Sequence, residues 1–158
     1  MCRDVTAVSI RRATVSDLDE LAVMRRAFTA EDPSGTALTQ DFEAAFARVI
    51  GEGLSDGSWV VWLAEVDQNI VAHAFVALIP KVPRPAHAPT ALGYLTNVYT
   101  RVAYRGQGVG SALLEAVLRW ARDAELELLV VWPSEESERL YRRLGFSSHG
   151  EPLVWLNE

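Results

Sequence analysis

A chain of 158 residues with 49% hydrophobic and 23% charged residues is long enough to bury a core and too apolar to be disordered, so it reads as one domain over 1–158. Its net charge of −6 argues against nucleic-acid binding, which needs a concentrated basic face. The longest apolar stretch, near Ile70–Pro80 and interrupted by His73, is about half a membrane span, so no membrane partner is expected.

In chain order, Val8–Ala13 reads as a short first strand. Thr14 or Ser16 caps the next helix, whose apolar side is Leu18, Leu21, Ala22 and Phe28, with Asp17, Asp19 and Glu20 at its positive end. Pro33-Ser34-Gly35 breaks it. A second helix runs from near Thr39, with Phe42, Ala45, Phe46 and Val49 on one face, and is expected to stop near Gly51 and Gly53. Ser58–Val66 is aromatic and β-branched, hence a strand. Asp67-Gln68-Asn69 turns the chain into a second strand, Ile70–Ile79, forming a hairpin. Prolines 80, 83, 85 and 89 make an irregular loop that cannot continue a ladder.

From Leu92 the order becomes strand (Leu92–Thr100), helix (Gly108–Ala124), strand (Leu126–Val131) and helix (Ser134–Leu144). Val109, Ala112, Leu113, Ala116, Val117 and Trp120 hold the spacing that buries one helix face. Gly145 stands where a left-handed cap ends the last helix. Phe146–Ser148 and Pro152–Leu156 are expected as a closing pair of strands. Cys2 is the only cysteine, so neither an internal disulfide nor a metal cluster is expected. The first ten residues lack an apolar leader, which makes a cytoplasmic location the default.

The most informative segment is Arg105-Gly106-Gln107-Gly108-Val109-Gly110, between a strand and an amphipathic helix. Its glycines let the backbone turn N–H groups toward one point, and the helix adds unsatisfied donors and the positive end of its dipole. Such a turn suits a phosphate or diphosphate. A P-loop would need lysine between glycine and serine, absent at Gly110-Ser111. A dinucleotide fold would need glycine where Ser111 stands.

Leu95-Thr96-Asn97-Val98-Tyr99-Thr100, followed by Tyr104-Arg105-Gly106-Gln107-Gly108-Val109-Gly110, resembles the fourth strand and cofactor loop of the GNAT superfamily of N-acetyltransferases. Leu140-Tyr141-Arg142-Arg143-Leu144-Gly145-Phe146 resembles that family's second signature. The resemblance implies an α/β (α+β) fold, a mixed sheet of about six to seven strands splayed between the fourth and fifth, with about four flanking helices. It also implies acetyl-CoA as co-substrate, an amine acceptor and direct transfer, and it allows a homodimer. The pantetheine arm would pair with the backbone of Val98 and Thr100. The diphosphate would sit on N–H groups from Arg105 through Gly106, Gln107, Gly108, Val109, Gly110 and Ser111. Glycine at 108 and 110 is expected to matter most. Tyr141 is the expected general acid for the leaving thiolate.

The chain departs from the family pattern in three places. Ser134 stands where many relatives have asparagine, and either caps the helix or reaches the cofactor. Ser137 stands where alanine is frequent, and its hydroxyl either contacts the thioester region or turns to the backbone. Many relatives carry a fourth-strand glutamate as base, whereas Thr96 and Asn97 stand here. Glu31, Asp32, Glu65, His73, His87 and a water chain all remain open for that role. An alternative reading is a non-catalytic module that binds acyl-CoA or an amine ligand.

Overall fold

The most β-branched run in the chain builds the middle of the sheet. β2 (Trp59–Val66) and β3 (Asn69–Pro80) pair antiparallel. Asp67 and Gln68 join them, both left-handed with φ of 49° and 65°, as a two-residue hairpin turn of matching twist requires. In the computed structural model, which describes residues 7–34, 40–88, 90–148, 150 and 153–156, β1 (Ser9–Arg12) adds antiparallel to β2. β4 (Ala91–Thr100) adds antiparallel to β3. β5 (Leu128–Val130) then runs parallel to β4, paired only over Leu92–Tyr94. Beyond Tyr94 the two strands share no ladder, so the sheet opens there.

Helices cover both faces. α1 (Leu18–Ala30) and α2 (Phe42–Asp56) pack on one, around Leu21, Ile50, Val61, Leu63 and Phe75. α3 (Val109–Asp123) and α4 (Glu135–Arg143) lie on the other, around Ala74, Val76, Leu95, Leu113, Val117 and Tyr141. Trp59 and Trp62 pack on opposite faces, as odd spacing along a strand dictates. No helix among the described residues is long and apolar enough to cross a membrane.

Two expectations are corrected. The second helix does not stop at Gly51 and Gly53 but runs to Asp56, where left-handed Gly57 (φ 81°) donates its N–H to the Gly53 carbonyl. Gly53 is a packing residue: a Cβ there would collide with the Trp59 ring, so glycine lets α2 lie close to β2. The sheet has five strands among the described residues, not six or seven. Phe146–Ser148 is irregular, and so is Leu153–Leu156, with Trp155 83% exposed; Pro152 lies outside the described residues. An apolar pattern gave that segment strand character but could not supply a partner.

Candidate functional site

The distal half of β4 carries a β-bulge. His73 pairs with Tyr99 and Phe75 with Thr96, so Asn97 and Val98 together oppose Ala74. Asn97 takes a φ of 50°, a conformation asparagine tolerates better than most residues. Leu95 and Tyr99 are an even number of positions apart and would share a face in a regular strand. The extra residue puts them on opposite faces. Leu95 joins the α3 side, while the Tyr99 ring stacks on Phe28 of α1 at 5.2 Å.

Past Thr100 the chain makes one short 3-10 turn, Val102–Tyr104. Gly106 and Gly108 then adopt left-handed conformations (φ 71° and 81°) before α3 begins at Val109. Among the described residues, the amides of Gly106, Gln107 and Gly108 donate to no backbone carbonyl. Those of Val109, Gly110 and Ser111 open the helix, where no carbonyl lies one turn back. The first turn of α3 holds no acidic residue, so nothing there offsets the positive end of the dipole. This row of free donors, exposed at Gly106, Gln107 and Gly108, can hold a diphosphate.

Arg105 differs in detail from the sequence-based expectation. Its amide is already bound to the Val102 carbonyl at 3.3 Å, so the free donors start at Gly106. Its guanidinium turns toward α1: Nε donates to the Thr100 carbonyl (2.8 Å) and Nη2 to Glu31 (2.7 Å), with the cation 5.5 Å from the centre of the Tyr99 ring. The Tyr99 hydroxyl donates to the other Glu31 oxygen at 2.9 Å. The Arg105 bond holds the Glu31 carboxyl below its ordinary range, partial burial opposes this, and Tyr99 adds to it. Burial, then Glu31, raises the Tyr99 phenol.

Gly110 needs no glycine for its backbone. Its φ is not left-handed, and a Cβ would meet Thr100 Oγ1 at an ordinary 3.5 Å. Gln107 donates to the Ala103 carbonyl at 3.0 Å, steadying the turn. Val98 packs against the α3-side core.

On α4, Ser134 accepts from the Ser137 amide as N-cap, and the two hydroxyls lie 2.9 Å apart. Ser137 Oγ also donates to the Ser134 carbonyl (3.1 Å), so both side chains serve the helix start. Tyr141 is 5% exposed and shares a core cluster with Val109 and Leu113 of α3. Its ring meets Phe146 edge-on at 5.3 Å. The hydroxyl has no hydrogen-bond partner among the described residues, and burial pushes the phenol up to about 12. Tyr141 also lines a cavity of about 470 Å³ beside β5, with Val130, Trp132 and Pro133.

Sequence reasoning missed Arg143. Its guanidinium lies 3.2 Å from Ser111 Oγ and has no carboxylate partner among the described residues, leaving a cation at the donor-rich end of α3. The contact joins residues 32 apart in sequence, which no local pattern reveals.

The open candidates for a base separate clearly. Glu65 pairs with Arg11 at 2.7 Å at the far edge of the sheet. Asp32 caps its own turn through Ser34, which holds its carboxyl below the usual range. His87 is exposed in the proline loop. His73 is fully buried, and burial pushes it down to about 4, against the opposing bond to Asn97 and with Arg25 nearby. Only Glu31 among these meets the loop and the end of β4.

The buried His73 gives a pH signature. Between its folded value of about 4 and an unfolded value near 6.5, the unfolded chain binds the proton and the folded chain does not. Stability from this source is therefore intact above pH ~6.5 and falls as pH drops toward ~4, by about 3 kcal/mol. Denaturant midpoints should decline across that window, and the part of the decline above pH ~5, where depressed carboxyls do not contribute, should vanish in His73→Asn.

The acetyltransferase (GNAT) family model matches residues 21–146. An aminoglycoside N(6')-acetyltransferase type 1 from Stenotrophomonas maltophilia is 34% identical over 121 residues, covering 75% of this chain and 71% of that protein. A glucosamine 6-phosphate N-acetyltransferase from Trypanosoma brucei brucei is 31% identical over 81 residues, covering 51% of this chain and 53% of that protein. The chain thus spans about half the length of that second relative. In structure it resembles a predicted acetyltransferase from Clostridium acetobutylicum crystallised with acetyl-CoA, at a TM-score of 0.78 and 24% identity, covering 95% of this chain and 96% of that one.

Proposed function

Because the chain belongs to the GNAT acetyltransferase family, we propose that it moves an acetyl group from acetyl-CoA directly to a primary amine of a small molecule or peptide. The observation that carries this reading is the row of unpaired amides from Gly106 to Ser111, beside the point where β4 parts from β5. A solved fold relative was crystallised with acetyl-CoA, which supports the choice of anion.

In this reading the diphosphate takes the loop amides, with Arg143 as an added cation. The pantetheine arm runs along the unpaired edge of β4 past Val98 and Thr100, as an added strand would. The Thr100 carbonyl already accepts from Arg105, and its second lone pair remains for the arm. The acceptor nitrogen attacks the thioester carbonyl, forming C–N as C–S breaks. The nitrogen loses one proton to solvent and the sulfur gains one. Tyr141, held protonated by its raised pKa, donates its O–H to the sulfur as negative charge builds there, then recovers a proton from water. The acceptor approaches from the α1 side, where Phe28, Glu31 and Tyr99 form the rim.

A CoA-thiol release assay on folded protein, with acetyl-CoA and a panel of amines and peptides, tests the proposal. Amine-dependent thiol release is expected. One observation favours a second reading, a binding module without turnover: β4 offers Thr96 and Asn97 but no carboxylate base. Tight acetyl-CoA binding with no release for any amine would favour that module.

A further inference from the structure

We propose that His73 is a positioning residue, whose Nδ1–H grips the Asn97 carbonyl and so fixes the bulge that turns the end of β4 away from β5. The inference rests on the acetyl-CoA reading above, because the gap it maintains is where the cofactor arm would lie.

A bulge leaves one residue outside the ladder, and its backbone groups need another partner. Here the Asn97 carbonyl finds it 2.8 Å from His73 Nδ1. A carbonyl only accepts, so the Nδ1 nitrogen carries the hydrogen, and a ring that burial keeps neutral is the Nδ1–H tautomer. The other nitrogen, Nε2, is buried and has no partner among the described residues, so one bond accounts for a polar residue placed in the core. The ring is held by Phe75 (centroids 5.1 Å apart, edge-on) and by Tyr99 (5.7 Å). From α1, Arg25 donates to the Asn97 side-chain oxygen at 3.2 Å, a second and weaker hold on the same residue.

The position of the bulge sets which way each later residue of β4 faces. With two β4 residues opposite Ala74, Tyr99 faces α1 and reaches Glu31, and Val98 faces the α3-side core. If the bulge were lost and the strand beyond it shifted its register by one residue, these faces would exchange. Tyr99 would leave Glu31, and the guanidinium of Arg105 would lose the ring and carboxylate that orient it at the mouth of the diphosphate loop.

The test uses two amides in place of the imidazole. Asparagine can set its Nδ2 where the ring Nδ1 stands, whereas glutamine sets its Nε2 where the ring Nε2 stands. Glutamine fills more of the space, so a packing role predicts that His73→Gln is the better replacement. The bond predicts the reverse. Acetyl-CoA titrated into each folded variant should bind His73→Asn within about 5-fold of the parent. His73→Gln, which leaves the carbonyl orphaned, should bind at least about 10-fold more weakly. Equal affinities, or a better glutamine variant, would overturn the proposal.

Nitrogen-15 NMR of the parent ring gives a readout that needs no variant to fold. A protonated Nδ1 with a bare Nε2 is expected at neutral pH, and a protonated Nε2 would overturn the assignment. A parent protein that bound no acetyl-CoA would sink the proposed function, while the ring spectrum would still decide the role of His73.

Discussion

Gly108→Asp is expected to remove acetyl-CoA binding, with the dissociation constant rising on the order of 100-fold or more, about 3 kcal/mol. Two effects combine. Gly108 sits at a φ of 81°, where a side chain adds roughly 1–2 kcal/mol of strain. The new carboxylate would also stand among the loop amides as a built-in competing anion, repelling the diphosphate and taking its donors. Collision within the unliganded protein is not the cause, because a Cβ at 108 meets nothing within 4 Å. Gly108→Ala isolates the strain and should lose only a minor part of the affinity. Gly110→Ala makes a useful contrast: that backbone is not left-handed and its Cβ site is in ordinary contact, so any loss there reports obstruction of the ligand alone.

Tyr141→Phe is expected to lower turnover by about 100-fold while acetyl-CoA affinity stays within a few-fold. The ring packs edge-on against Phe146 and belongs to the core beneath α3, so phenylalanine keeps the packing. The hydroxyl has no protein partner among the described residues, and removing it orphans nothing, so the denaturation midpoint should hold. Rate constants for amine-dependent thiol release, measured beside a thermal melt, check both halves. Turnover unchanged across every accepted amine would exclude the phenol from sulfur protonation.

What could be read from the sequence is what local chemistry dictates. Gly106 and Gly108 announce a left-handed turn ahead of an amphipathic helix, Ser134 announces the start of α4, and Gly145 its end, because each condition is set within a few residues. The splay between β4 and β5 was legible only through resemblance, since it depends on how far the three-residue β5 pairs with β4, and the bulge at Asn97 depends on pairing with β3. The partnership of Arg105 with Glu31 spans 74 residues and that of Arg143 with Ser111 spans 32, so neither leaves a mark on local pattern. The same limit explains the errors. Gly51 and Gly53 look like helix stops until Trp59 is seen against Gly53. Leu153–Leu156 looks like a strand although no described strand pairs with it.

Titration calorimetry of the folded protein with acetyl-CoA tests the central claim, that the bare amides from Gly106 to Ser111 hold the diphosphate of the co-substrate. The account predicts saturable heat near one equivalent, reduced in Gly108→Asp protein that still melts in one cooperative transition. An absence of heat at millimolar acetyl-CoA, or equal binding by the aspartate variant, would contradict it.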